Sequence, residues 1–469
     1  MSLFKPKWRG GSSVSMTVLF MLAVIIAVGV FLRAQAFLGT EVTEPLQAKA
    51  AESYALAQTL SDQGAYQVLA APFDASGEDA AAGEVFGSLG YPLFLSLFAS
   101  PEATPRSLDA AVIAQLVLGT LAILLVFMLT TRLMDPHWGL IVAFLTAVSP
   151  FLVNISLFLV GATLLLVTLL FYLMSATRLG ERGALIRTLV AAALLGVVAL
   201  VDPTYQLLIL PWLLMLVLSV RKGASKVLIP IAAVLGFALV FGPWVARNQI
   251  LVDAPIATTP IAASIQQGMP TAASDNAEAE TPRLLASIGR LGGAMIRDPG
   301  WYFVEKPQTL WSFGQPADPD DSDAESSAVP SAVPSAEQGL VYPVSRTPYA
   351  ENPIFLTSEE FMRLLHAPVL LIGALGAILV WLPFAGRRLT PSQRIGLRSI
   401  SLVLIYATLV HVFGVAAPQY ATPLLPLLFL MALTPLYILT APRLEAAPPK
   451  KNAKTAPESE SEEEVTETD

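Results

Sequence analysis

The chain has no cysteine and only three histidines among its 469 residues. The first absence excludes disulfides, thiolate metal sites and cysteine nucleophiles, and the second leaves too few imidazoles for a histidine-built metal centre. Charge is scarce as well: 14% of residues are charged, where a soluble domain carries about 25%. There is no glycine-rich phosphate loop of the nucleotide-binding type, no His-Glu-x-x-His and no basic, aromatic-interleaved patch. No nucleic-acid partner is therefore expected. What the chain has in abundance is apolar surface, with 54% hydrophobic residues and a mean hydropathy of +0.63. That is the composition of a membrane protein. The net charge of −8 gathers in the polar loops and the C-terminal tail.

A spanning helix needs about 20 mostly apolar residues. Runs that meet or approach this length are 14–37, 109–134, 138–153, 155–177, 184–201, 204–220, 226–246, 366–386, 396–416 and 419–441. They predict an all-α polytopic helical bundle of about ten transmembrane helices. Basic residues mark every second connection: Lys5, Lys7 and Arg9; Arg132; Arg178, Arg182 and Arg187; Arg221, Lys222 and Lys226; Arg387, Arg388, Arg394 and Arg398; Lys450, Lys451 and Lys454. The positive-inside rule then places both termini in the cytoplasm. Ala34-Gln35-Ala36 has the look of a signal-peptide cleavage site, but the apolar run is long for one and cleavage would spoil the alternation of charge. A retained first helix within 1–37 is expected.

The resulting organisation is a cytoplasmic N-terminus and first span (1–37), an outer loop with interfacial helices (38–108), spans two to seven (109–246), a second outer loop with amphipathic helices and a flexible insert (247–365), spans eight to ten (366–441), and a tail (442–469) expected to be disordered. The first outer loop is acidic, with Glu41, Glu44, Glu52, Asp62, Asp74, Glu78, Asp79, Glu84 and Glu102 against Lys49 and Arg106. Within it, Leu46, Ala50, Tyr54, Ala57 and Leu60 recur at helical spacing. They predict a surface helix from Glu44 to Tyr66, closed at Gly64 and lying along the membrane. Gly90 to Phe98 forms a second short apolar piece. In the other loop, Pro282 to Ile296 reads as an amphipathic helix broken at Asp298-Pro299-Gly300, followed by the aromatic stretch Trp301 to Phe313.

Several segments, taken in order, resemble one family. They are Glu52-x-Tyr54…Ala57-x-x-Leu60 with Gly64-Ala-Tyr66; Gly90-Tyr91-Pro92-Leu93-Phe94; Ser149-Pro150 with Ser156; Pro243-Trp244-x-x-Arg247-Asn248; Asp298-Pro299-Gly300…Trp311; and Gln419-Tyr420-x-x-Pro423-x-x-Pro426. The chain is similar in these to the GT-C-fold glycosyltransferases that use polyprenyl-phosphate sugars, such as the protein O-mannosyltransferases and the lipid A aminoarabinose transferase. The resemblance covers roughly 14–440 and implies a GT-C-like bundle with interfacial helices on the outer face of a bacterial cytoplasmic membrane. It implies a polyprenyl-phosphate sugar as donor, membrane lipids around the site, and in many members a divalent metal (Mg or Mn). The implied base is a carboxylate near the end of the first span, Glu44 or Glu41. Arg247, Asn248, Tyr54, Arg33 and Tyr420 are the implied substrate contacts. The chain departs from the family at Gly161-Ala162-Thr163 (elsewhere an acid), Asp202-Pro203 (elsewhere Arg-Pro) and Gln419-Tyr420 (elsewhere Arg-Tyr).

The same residues have plainer readings. Glu44 before Pro45 suits a helix start, where an acid favours the dipole. Glu41 and Glu52 suit solvated faces. Arg247 at a span end suits a snorkelling side chain, and Arg33 an ion pair with loop acids. Asp202 suits a helix start, and His411 a packed, hydrogen-bonded position. Two functions follow: a transferase moving a sugar from a polyprenyl carrier to an acceptor at the outer face, or a catalytically degenerate GT-C scaffold that binds a lipid or a partner membrane protein.

Overall fold

The computed structural model describes residues 15–42, 45–46, 49–70, 88–179, 184–219, 225–252, 259–269, 284–313, 344–346, 348 and 352–440. It is an all-helical, multi-pass membrane bundle. The helices are α1 (Met16–Gly39), α2 (Lys49–Ala70), α3 (Gly90–Leu95), α4 (Pro105–Leu133), α5 (Pro136–Val148), α6 (Pro150–Asn154), α7 (Ala162–Ala176), α8 (Ala184–Val201), α9 (Ile209–Ser219), α10 (Ser225–Val252), α11 (Thr259–Gln267), α12 (Leu284–Arg297), α13 (Lys306–Leu310), α14 (Pro353–Leu379), α15 (Pro391–Phe413), α16 (Pro418–Ala421) and α17 (Leu425–Thr440). The strands Glu41–Val42 and Val344–Arg346 pair antiparallel and tie the two long loops together.

Seven helices are long and apolar enough to cross a membrane, and α5 with the segment through Leu157 makes an eighth if the bent pair is one span. The sequence suggested about ten. The difference lies where two apolar runs broke into shorter pieces. Pro150 has no N–H, so the backbone turns by 59° between α5 and α6 and the second run restarts as α7. The run after Asp202 begins as a 3-10 turn, Pro203–Leu208, before α9.

Polar side chains start the helices as the capping rule requires. Thr104 accepts from the Ser107 amide ahead of α4, Asp135 from His137 and Trp138 ahead of α5, and Asn352 from Ile354 ahead of α14. Thr390 and Gln393 form a full capping box at α15, and Gln393 also donates to the Leu133 carbonyl and the Tyr437 hydroxyl. Inside lipid there is little hydrophobic drive between helices, so close approach at small residues holds them. A methyl added at Gly376 of α14 would lie 2.1 Å from the Met431 carbonyl of α17, and one at Gly236 of α10 would lie 2.2 Å from the Leu189 carbonyl of α8. Gly376→Ala is expected to force α14 off α17 and cost about 1–3 kcal/mol. The check is a lower thermal midpoint in detergent, with Gly289→Ala on α12, where an added Cβ meets nothing within 4 Å, left near wild type.

The loop helices pack on one end of the bundle. The stripe predicted for the first loop exists, but α2 begins at Lys49 and runs through Gly64 to Ala70. Ala50, Tyr54 and Ala57 face Tyr91, Leu95, Val112 and Leu159, whereas Leu60 faces Leu89, Phe241 and Trp244. The stripe therefore covers protein rather than membrane. At 27 residues, α14 is about 40 Å long, so about two turns of it exceed a hydrocarbon layer of about 30 Å.

Candidate functional site

The bent span sets the geometry at the loop end. A helix that stops at a proline leaves carbonyls without amide donors. Here Val148 O accepts from Ser358 Oγ of α14 at 2.7 Å, and Ala147 O lies 3.5 Å from Arg33 Nη1. Arg33 also donates to Gly29 O at 3.2 Å. It is 2% exposed, about 9 Å short of the end of its helix. A Cβ on Gly119 would lie 2.9 Å from its Nε, so α4 makes room for the guanidinium by lacking a side chain there. A buried arginine at this depth is costly and is usually kept for a function or a broken backbone.

Above it, the two loop helices are fixed by a hydrogen-bonded network. Tyr91 donates to Gln115 Oε1 at 2.8 Å, and Gln115 Nε2 donates to Phe158 O at 2.8 Å and Ser156 O at 3.2 Å. Tyr54 and Ser107 share a 3.0 Å hydroxyl bond, and Gln58 Nε2 holds Ser100 O at 2.9 Å. The tyrosines of the two motifs thus clamp α2 and α3 onto α4. Gln115→Leu leaves one phenol and two carbonyls buried without this partner. It is expected to cost about 2–4 kcal/mol, and Tyr91→Phe in the same background should add little. A thermal-melt double-mutant cycle checks both.

The remaining candidates occupy separate places. At the end of α10, Arg247 stacks over Trp244, 5.3 Å from the ring centroid, and donates to Asn248 Oδ1 at 2.8 Å. Asn248 is fully buried and its Nδ2 has no partner among the described residues. Since Trp244 packs against Leu60, α2 joins this corner to the Tyr54 network. Tyr420 lies elsewhere, its ring stacked on His411 at 4.5 Å. Glu41 is exposed in the short strand pair, and Glu44 lies outside the described residues. Asp202 accepts from the amide and hydroxyl of Thr204, at 3.0 and 2.7 Å, which is the helix-start reading. Among the described residues no group of three or more His, Asp or Glu side chains is placed to hold a metal ion.

No family model and no curated protein matches the chain. Among solved structures it is similar to the oligosaccharyltransferase of Archaeoglobus fulgidus in its apo form, at 15% identity and a TM-score of 0.48 over 90% of this chain and 50% of that one. It is similar also to the archaeal oligosaccharyltransferase AglB from Archaeoglobus fulgidus in complex with an inhibitory peptide and a dolichol-phosphate, at 14% identity and a TM-score of 0.48 over the same shares. The chain spans about half the length of these structures.

Sequence reasoning missed two features. One is a narrow apolar cleft between α6, α14, α17 and the segment that follows α13, walled by Phe151, Phe313 and Phe429 with His366 as its polar group. The imidazole Nε2 is 2.6 Å from Trp311 O. Only the fold brings these four elements together, so no local pattern marks the cleft. The other is Lys306. It is 2% exposed, and its Nζ donates to Gly414 O at 2.6 Å. Burial lowers its pKa to about 7. A lone lysine closing the aromatic run Trp301-Tyr302-Phe303 was the available signal.

Proposed function

We propose that the chain is a membrane glycosyltransferase that moves a sugar from a polyprenyl-phosphate carrier to an acceptor at the outer face of a bacterial cytoplasmic membrane. One observation carries the reading. The segments around Tyr54, Tyr91 and Trp244–Asn248, distant in sequence, meet through α2 at the end of the bundle where α1 emerges. Transfer needs little of the protein. The acceptor hydroxyl attacks the anomeric carbon as the bond to phosphate oxygen breaks; the phosphate leaves with the electron pair and a carboxylate takes the proton. Glu44 or Glu41 serves as that base. Arg247 meets the phosphate with charge-assisted hydrogen bonds, held toward it by Asn248 and the Trp244 ring.

A second reading is favoured by the fate of particular groups. The Asp202 carboxylate is committed to Thr204, and the Tyr54 hydroxyl bonds to Ser107. In this reading the chain is a degenerate scaffold that binds a lipid or a partner membrane protein. Proteoliposomes loaded with a labelled polyprenyl-phosphate sugar separate the two. Protein-dependent release of free polyprenyl phosphate, a product common to every acceptor, is expected. Retention of labelled lipid without release would favour the scaffold, and neither retention nor release would sink both.

A further inference from the structure

After Asp298, whose carboxylate accepts from the Trp301 amide at 3.1 Å, the chain winds as five residues of π-helix, Trp301–Glu305, before α13. Single π turns are rare and recur at functional sites. This one brings Trp301 and Tyr302 together around Lys306. The ammonium lies 4.7 Å from the Tyr302 ring centroid and 5.9 Å from that of Trp301. All three carry unused donors. The indole Nε1 of Trp301 and the hydroxyl of Tyr302 are buried and have no hydrogen-bond partner among the described residues. The ammonium has three N–H groups, and Gly414 O is its one hydrogen-bond acceptor there. No described carboxylate pairs with it.

A buried cation without a counter-ion carries an uncompensated desolvation cost, and buried donors left unmet add to it. The cluster has donors that Gly414 O alone among the described groups meets, and the Asp298 carboxylate, close enough to add to burial in raising the Tyr302 pKa, makes no ion pair with the ammonium. The backbone around it is close-fitting: a Cβ on Gly268 would lie 1.9 Å from Gly414 O and 2.9 Å from Lys306 Nζ. The approach lies on the other side, where Trp301 is half-buried and its neighbours Pro299, Gly300 and Phe303 are exposed.

We propose that Trp301, Tyr302 and Lys306 form a binding subsite for a phosphate group at the loop end of the bundle. A tetrahedral oxyanion accepts from the indole, the phenol and the ammonium at once, and supplies the charge that Lys306 lacks. The cation–π faces of Trp301 and Tyr302 keep the lysine oriented while the site is empty of ligand. This subsite does not rest on the transferase reading, because it is built from neither the glutamates nor Arg247.

The test uses the full chain in maltoside micelles, which carry no phosphate, with the thermal midpoint followed against two probes. Inorganic phosphate represents a free anion and dodecyl phosphate a lipid headgroup. A rise with at least one probe is expected, and the apparent affinity should fall about tenfold in Lys306→Met and in Trp301→Phe, the loss of one charge-assisted or buried hydrogen bond. A response to dodecyl phosphate alone assigns the site to a lipid phosphate, and a response to both assigns it to the phosphate itself. No response to either probe overturns the proposal, as does wild-type affinity in both variants. Trp301→Phe keeps the ring and the fold, so the test stands if the lysine variant fails to assemble. No sugar donor is present, so the outcome is independent of any transfer assay.

Discussion

Converting Glu41 and Glu44 together to glutamine is expected to lower release of the carrier phosphate by about 10²- to 10⁴-fold, the usual worth of a positioned base. Glutamine keeps the shape and the hydrogen-bonding reach of each side chain but cannot take a proton from the acceptor hydroxyl. The fold should not notice. Glu41 is exposed, and a surface change of this kind shifts stability by no more than about 0.5 kcal/mol. The strand pair that holds Glu41 rests on backbone hydrogen bonds to the segment around Arg346, which glutamine leaves in place. Single variants then say which carboxylate acts: one should carry most of the loss and the other little. Release by the double variant at the wild-type rate would remove both residues from the mechanism. Donor affinity should stay near wild type, since neither glutamate is assigned to the phosphate.

The second large effect is on stability, and its sign follows from where Lys306 sits. Burial lowers its pKa from 10.5 to about 7, so the folded chain holds fewer protons than the unfolded chain between those values. Stability therefore rises with pH from about 7 toward 10.5 and bears the full cost of charging below 7. Lys306→Met removes the titration but forfeits the bond to Gly414 O. The variant is expected to be more stable than wild type by about 3–4 kcal/mol at pH 6, with the advantage shrinking steadily as pH rises toward 10. Thermal or denaturant midpoints of the two proteins across pH 6–9.5, without phosphate, measure it. Parallel curves would show that the ammonium is not buried as described. The groups around the lysine do not supply this trend: Gly414 offers a carbonyl, and burial raises the Tyr302 pKa, out of the range.

Much of this was legible along the chain. The apolar runs are local and mark the spans, but the helices begin earlier than the runs, at Pro105, Pro136, Pro353 and Pro391, where Thr104, Asp135, Asn352 and Thr390 cap them. The three-and-four spacing of Ala50, Tyr54, Ala57 and Leu60 marked a helix with one buried face. It did not say what buries that face, because an apolar stripe suits a lipid surface and a protein surface equally. Gly64 looked like a helix end and is not one, since its helix is held by packing along the stripe rather than by local propensity. The span count fell short of the reading for a similar reason. Hydropathy registers apolar residues whether or not a proline turns the backbone among them, as Pro150 does by 59°.

What the sequence determined by itself is the class of the molecule and the order of its parts. Composition places the chain in a membrane, periodicity makes it helical, and the ordered motifs name a set of residues to question. Which of those residues meet was decided only by the tertiary structure. Arg33 reaches the carbonyl of Ala147, Gln115 gathers Tyr91 with Ser156 and Phe158, and Lys306 finds Gly414 108 residues away. The reason is physical. Hydrophobicity and helix propensity act along the chain and can be summed from it, whereas a hydrogen bond or an unmet donor exists only between groups that folding brings to within about 3 Å.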